Sequence, residues 1–115
     1  MIRSSPQRGD VWLVDLRGGR GSEQRELRPV VVIQNDVGNT HAATTVVATI
    51  TSTIRLYPVT VALERGEGGV SRRSMVNLSQ IFTIDKGRLA RRLGGLPSET
   101  MQAVNRAIRI SLDVE

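Results

Sequence analysis

The sequence predicts a small, mainly antiparallel β protein that ends in one helix. Short runs of β-branched and aliphatic residues alternate with turns rich in Gly, Asn and Asp along most of the chain. Only after Gly94 and Gly95 does the apolar spacing become helical. A chain of 115 residues has the size of one domain with one modest core. We therefore expect an α+β fold, mainly β: a small antiparallel barrel or curled sheet with a C-terminal amphipathic helix, in a single domain over residues 1–115.

Six strands are predicted after a short polar arm at residues 1–8. They cover residues 10–16, 30–34, 44–51, 58–63, 74–78 and 89–93. The second contains four consecutive apolar residues, Val30 to Ile33, so it is predicted to be buried on both faces. A long polar loop at 17–27 precedes it, and residues 35–39 have the composition of a turn.

The last segment, residues 97–113, is predicted to be an amphipathic helix that packs on the sheet. Its apolar side chains fall on one helical stripe: Met101, Val104, Ala107, Ile108 and Leu112. Pro97 is allowed in a first helical turn, and Ser98 is available as the N-cap.

The charge of the chain favours an anionic partner. It has 16 basic and 11 acidic residues, and every basic residue except Lys86 is an arginine. Arginine binds phosphate bidentately, so this composition suits nucleic acid. A GC-rich genome would equally explain the choice of arginine over lysine, but it does not explain the excess of positive charge.

The chain has no cysteine, which excludes disulfides and cysteine-based zinc sites. Its apolar runs are far shorter than the roughly 20 residues of a membrane span, and its first residues lack the apolar core of a signal peptide. We therefore expect a cytoplasmic protein.

The usual catalytic side chains are scarce. His41 is the single histidine and lies in a polar turn region, where we expect it at the surface. No metal-ligand cluster and no phosphate-binding Gly-rich loop ending in Lys is recognisable, so we predict neither a metal nor a cofactor. One reaction is compatible with Arg, Thr, Ser and Glu alone: cleavage of RNA, whose own 2′-hydroxyl is the nucleophile.

Arg28 is well placed for such a reaction, because Pro29 after it favours extended backbone at the junction of a polar loop and a strand. On local chemistry alone other interpretations stay open. Arg28 could form a surface ion pair with Glu23 or Glu26, and Thr51 could be an ordinary strand threonine. The polar segment at residues 22–24 could form a simple turn, and the Gln80 side chain could be solvated without contacting a ligand.

The chain resembles the MazF/PemK family of toxin endoribonucleases over residues 8–113. The matching segments, in the family's order and spacing, are Arg-Gly-Asp-Val-Trp (8–12), Gly-Ser-Glu-Gln (21–24), Arg-Pro-Val-Val-Val-Ile (28–33), Ile-Thr-Ser (50–52), Gln-Ile (80–81), Thr-Ile-Asp (83–85) and the closing helix. The resemblance implies an SH3-like barrel with a C-terminal helix.

The resemblance also implies an activity and a site. The family cleaves single-stranded RNA without metal, leaving 2′,3′-cyclic phosphate and 5′-hydroxyl ends. The resemblance implies that Arg28 and Thr51 are the catalytic pair. It also implies that the RNA-binding residues are Ser22, Glu23, Gln24, Ser52 and Gln80. Because a guanidinium is effectively always protonated, we expect Arg28 to stabilise charge or donate a proton, with Glu23 as a candidate base.

The implied partners are messenger RNA, a cognate acidic antitoxin and a second copy of the chain. Two alternatives remain open at this stage. The same fold family includes a toxin that poisons DNA gyrase through protein contacts, and fold does not fix function. A degenerate toxin that only binds RNA or antitoxin would also carry many of these residues.

Overall fold

The computed structural model describes residues 5–16 and 26–115. The predicted arm at 1–8 and the predicted loop at 17–27 lie partly outside these residues, and Ser22, Glu23 and Gln24 lie wholly outside them. The described strands and α-helices are β1 Asp10–Asp15, β2 Leu27–Val32, α1 Asp36–His41, β3 Thr44–Thr51, β4 Thr60–Leu63, β5 Ser74–Asp85, β6 Leu89–Gly95 and α2 Ser98–Leu112, and short 3-10 helices lie at Glu67–Gly69 and Lys86–Arg88.

The six described strands form one antiparallel sheet in the order β4-β5-β3-β2-β1-β6. The predicted class, mainly β with a helix at the C-terminus, is confirmed. Of the two predicted forms, the curled sheet is the one observed, because β4 and β6 form no ladder with each other in the described part of the chain. No helix in that part is long and apolar enough to cross a membrane.

Strand β2 lies at the centre of the core. Val30, Val31 and Val32 are fully buried, which confirms that this strand is covered on both faces. Val31 belongs to the larger apolar cluster, on the side of the sheet that α2 covers, whereas Val30 and Val32 belong to a second cluster on the opposite face. The second cluster consists of Val14, Val30, Val32, Val47 and Ile84, with Trp12, Phe82 and Leu89 at its margin.

Helix α2 packs through the predicted stripe near its centre. Val104 and Ala107 are buried against the sheet, with Met101 and Ile108 partly buried beside them, but Leu112 is 56% exposed. The expectation that Ser98 caps this helix is wrong. Pro97 occupies the N-cap position and has no side-chain capping bond.

Residues 35–39 were predicted as a turn, but most of them belong to the short helix α1. The Asn35 side chain accepts a hydrogen bond from the Gly38 N–H at 2.8 Å and so caps the helix. The buried Asn39 bonds Thr45, Gln34 and Asp36 through its amide group. Local capping and the hydrogen bonds of the buried Asn39 therefore stabilise a short helix where the composition predicts a turn.

The turn between β4 and β5 packs tightly on β6. Gly69 has a φ of +87°, and a Cβ atom there would lie 2.3 Å from the carbonyl oxygen of Leu93. Gly66, in the same turn, has a φ of +92° and open space around its Cα. The turn leads into the buried Val70 and then into Ser71 and Arg72, so its conformation sets the path of the chain there.

Gly69→Ala is expected to destabilise the fold by about 2–4 kcal/mol, since it adds a backbone clash to an unfavourable φ. Gly66→Ala is the matched control and should cost only about 1 kcal/mol, the conformational term alone. Denaturant unfolding of both variants measures the difference. Equal losses would show that the close approach to β6 contributes nothing.

Candidate active site

Arg28 and Thr51 are brought together by the pairing of β2 with β3. The described ladder pairs Val30 with Thr49 and Val31 with Ala48. Continuing this register by two residues would place Arg28 opposite Thr51, and opposite residues share a face of the sheet. Both residues line the same two grooves. The structure therefore brings the sequence-predicted pair to the same two grooves.

Arg28 lies inside β2 and not at its start. The strand was predicted to begin at Val30, but β2 begins at Leu27, and its first three residues pair only with β1 in the described structure. The ladder with β3 begins at Val30 in the described structure. Because proline has no N–H to donate, this edge position suits it.

The Arg28 guanidinium is accessible to a ligand. Its side chain is 57% exposed, and its Nη1 atom lies 4.0 Å from a carboxylate oxygen of Glu26, whose side chain is 47% exposed. The surface ion pair considered from the sequence is therefore present, but an exposed pair at this distance holds an arginine only weakly. The guanidinium can turn towards a phosphate without a large loss of stability.

The Thr51 hydroxyl has a defined position at the end of β3. Its oxygen accepts a hydrogen bond from the Thr53 N–H at 3.1 Å, and the residue is half-buried. This bond uses a lone pair of the oxygen, so the hydroxyl proton can be donated to a substrate. The neighbouring Ser52 is exposed.

The larger groove, which we call the amide groove, has a volume of about 650 Å³. It is lined by Leu16, Arg28, Thr49, Ile50, Thr51, Thr53, Arg55, Tyr57, Met75, Asn77, Ser79, Gln80, Ile81 and Phe82. Its described walls carry arginines, hydroxyls and amides but no carboxylate. Such a surface suits a polar anion, including a nucleic acid strand.

Gln80 reaches the amide groove because β5 is irregular. The strand was predicted to end at Leu78, but it continues to Asp85. Its pairing with β3 jumps from Asn77 opposite Thr49 to Ile81 opposite Ala48. The bulge therefore contains three residues of β5, of which Leu78 is buried and Ser79 and Gln80 are exposed.

The polar side chains on this wall of the groove hold one another. The Thr49 hydroxyl donates to Oε1 of Gln80 at 2.9 Å, which leaves the amide NH₂ of Gln80 to face a ligand. Oδ1 of Asn77 accepts from the hydroxyl of Ser79 at 2.6 Å. Amide groups in fixed orientation can recognise base edges.

A smaller groove, which we call the hydroxyl groove, has a volume of about 390 Å³. It is lined by Leu13, Leu27, Arg28, Pro29, Ile50, Thr51, Ser52, Thr53, Val70, Ser71, Arg72, Ser74 and Leu93. Arg28 and Thr51 line both grooves and so lie at the junction between them. The structure brings Arg28, Thr51, Ser52 and Gln80 to one region, whereas Ser22, Glu23 and Gln24 lie outside the described residues.

Several groove residues were not selected from the sequence. Tyr57 is 49% exposed in the amide groove, and Arg55 and Asn77 line it as well. The sequence contains only a weak indication of a role for Tyr57, which is an aromatic residue before Pro58 in a segment predicted only to connect two strands. His41 is at the surface, as predicted. Among residues 5–16 and 26–115, no three His, Asp or Glu side chains group as metal ligands would.

The fold and the grooves together define a class of protein: a small curled β-sheet with one packed helix and a cationic, polar cleft at the ends of two central strands. Comparison with known proteins identifies the family. The pattern of PemK-like and MazF-like toxins of type II toxin–antitoxin systems matches residues 7–112. The chain therefore belongs to this family, and the resemblance found in the sequence is confirmed.

Individual relatives agree with this assignment. The chain is similar to an endoribonuclease MazF from Staphylococcus saprophyticus, with 45% identity over 108 residues that cover 92% of this chain and 90% of that protein. It is also similar to the structure of an endoribonuclease from a mycobacterial species, with a TM-score of 0.82, 27% identity, and coverage of 99% and 97% of the two chains.

A third relative was solved with a partner. It is a mycobacterial endoribonuclease in complex with its cognate antitoxin, with a TM-score of 0.82 and 29% identity, and the match covers 96% of this chain and 98% of that one. The described sheet and helix are therefore those of the family.

Arg28→Ala is expected to change the free energy of unfolding by no more than about 0.5 kcal/mol, because the side chain is exposed and its ion pair is long. Val30→Ala, two residues along the same strand, is the control and should cost about 2–3 kcal/mol, because it empties buried volume. Denaturant unfolding compares the two variants. A large loss for Arg28→Ala would give this residue a structural role.

Proposed function

We propose that this MazF-family endoribonuclease cleaves single-stranded RNA without a metal ion, at a site formed by Arg28 and Thr51. The products would carry 2′,3′-cyclic phosphate and 5′-hydroxyl ends. The observation that supports this proposal best is that both residues line both polar grooves, and so lie where the two grooves meet. A strand lying along both grooves would present a phosphate to both residues.

The chemistry requires little from the protein, since RNA supplies the nucleophile. The 2′-oxygen attacks the adjacent phosphorus and loses its proton, while the bond from phosphorus to the 5′-oxygen breaks and that oxygen gains a proton. The protein has to align the attacking and leaving oxygens and to stabilise the charge that builds up on the phosphorane.

Arg28 carries the electrostatic part of this reaction. A guanidinium can bind two non-bridging oxygens of the phosphorane at once, and its weak tie to Glu26 leaves it able to do so. A guanidinium proton can also be given to the leaving 5′-oxygen. The Thr51 hydroxyl, whose oxygen accepts a hydrogen bond from the Thr53 N–H, donates a hydrogen bond to the same phosphate group.

The base that takes the 2′-hydroxyl proton is proposed to be Glu23, which precedes β2 in the sequence. RNA recognition is assigned to Ser22, Gln24, Ser52 and Gln80, together with Glu23. The position of Gln80 in the amide groove beside Thr49 supports this role for Gln80, and the opening of Ser52 onto the hydroxyl groove supports it for Ser52.

The biological role follows from the family. We propose that the toxin inhibits translation and growth by cutting messenger RNA in the cytoplasm, and that a cognate antitoxin neutralises it, as an antitoxin binds the mycobacterial relative. An acidic antitoxin segment would suit the net charge of +5. We also propose that the active form is a homodimer.

The direct test is cleavage of a long single-stranded RNA in EDTA, with the cut sites and the end groups mapped. Arg28→Ala is expected to lower the rate about 10²- to 10³-fold, the usual cost of removing one preorganised donor. Arg73→Ala is the matched control, because Arg73 is 52% exposed, pairs with Glu64 at 3.6 Å and lines neither groove. It should cut at close to the parent rate.

The results separate the alternatives. Discrete cuts with cyclic-phosphate ends, lost in Arg28→Ala and kept in Arg73→Ala, support the proposed site. RNA that stays intact with the parent protein, together with inhibition of gyrase supercoiling, would replace this function with binding to a protein target. Equal rates for the two variants would remove Arg28 from the site.

A further inference from the structure

We infer that the hydroxyl groove binds the sugar–phosphate backbone of the RNA on one side of the scissile bond, and that Arg72 is its phosphate-binding residue. The inference rests on the proposed function and extends it, because it assigns a second part of the substrate to a second part of the surface. The amide groove then holds the nucleotides on the other side of the cut.

The continuity of the two grooves supports this division. They share Arg28, Ile50, Thr51 and Thr53, so they meet at the proposed catalytic pair. A phosphate bound there belongs to a chain that continues in both directions. Each groove has a volume in the range of about 300–1,000 Å³ that small-ligand sites occupy, so each can hold a nucleotide-sized group.

The side chains of the two grooves differ in a way that matches the two parts of a nucleotide. The amide groove presents Gln80, Asn77 and the exposed ring of Tyr57, which suit base edges and base stacking. The hydroxyl groove presents Ser52, Ser71 and Arg72, which suit phosphate oxygens and ribose hydroxyls. No acidic side chain is among its described lining residues.

The backbone around Arg72 is held in place. The hydroxyl of Ser74, a residue that is only 5% exposed, donates a hydrogen bond to the Arg72 carbonyl oxygen at 2.8 Å. On the other side, Val70 is buried in the core, after the turn that packs on β6. The exposed Arg72 side chain therefore extends from a backbone segment that is anchored on both sides, whereas the Arg73 side chain next to it pairs with Glu64 and lines neither groove.

The two consecutive arginines provide a matched experiment. Arg72→Ala and Arg73→Ala remove the same charge from adjacent positions, and of the two residues only Arg72 lines the hydroxyl groove or the amide groove. The probe is a fluorescent single-stranded oligoribonucleotide that spans a mapped cut and carries a 2′-deoxy sugar at the cleaved nucleotide. Its binding is measured by anisotropy over a series of salt concentrations, after denaturant unfolding has shown that both variants are as stable as the parent.

For Arg72→Ala we expect about five- to tenfold weaker binding near 0.15 M salt, and a slope of log K against log salt reduced by about 0.7, the value for one lost phosphate contact on a single strand. Arg73→Ala should bind within twofold of the parent. With cleavable RNA, Arg72→Ala should raise KM by the same factor and leave kcat nearly unchanged, because it removes binding that is equal in the ground state and the transition state. Arg72→Lys should recover part of the affinity.

Shortened oligonucleotides locate the contact. Removing nucleotides from the side of the cut that occupies the hydroxyl groove should abolish the difference between parent and Arg72→Ala, and removing them from the other side should preserve it. Equal binding by the two alanine variants would overturn the inference, as would a defect that persists through both truncations. So would an Arg72→Ala defect confined to self-association or antitoxin binding.

Failure of the inference is distinguishable from failure of the proposed function. If the parent protein cuts RNA in EDTA but Arg72→Ala and Arg73→Ala bind the oligonucleotide equally, only the assignment of Arg72 is rejected. A parent that cuts no RNA rejects the function, and this inference with it.

Discussion

The burial of β2 on both faces is the constraint on which the site depends. Val30, Val31 and Val32 are fully buried, and successive residues enter opposite apolar clusters. A slip of one residue against β3 would send each of these side chains to the wrong face, so the register is strongly specified. The same register, continued past the end of the ladder, brings Arg28 opposite Thr51. The core thus positions two polar residues that contribute little to it.

Much of this arrangement could be predicted from the sequence. The uninterrupted apolar run at residues 30–33 predicted the buried strand, and the helical stripe around Val104 and Ala107 predicted the packed face of α2. Thr51 was expected at the end of the third strand, where it lies. The selection of Arg28 and Thr51 as a pair came from the family resemblance, since arginine and threonine are common at such positions and have no distinctive spacing.

The predictions that were wrong depended on side-chain hydrogen bonds and strand pairing that local composition does not reveal. The helix α1 requires the buried Asn39 and its bonds to the segments around it, which local turn composition does not reveal. The length of β5 depends on a bulge, because the strand pairs with β3 on both sides of Leu78, Ser79 and Gln80, which leave that ladder. The grooves form only when the strands pair in this way. The sequence alone therefore does not identify Tyr57, Asn77 and Arg72 as groove residues.

The central claim is that Arg28 and Thr51 act together on one phosphate. A double-mutant cycle on the cleavage rate tests it directly, with Arg28→Ala, Thr51→Val and the combined variant compared on the same RNA in EDTA. Residues that act as a unit give strongly non-additive losses. We therefore expect the combined variant to cut about as slowly as the slower single variant. Losses that simply multiply would contradict the account, because they would show two residues acting independently.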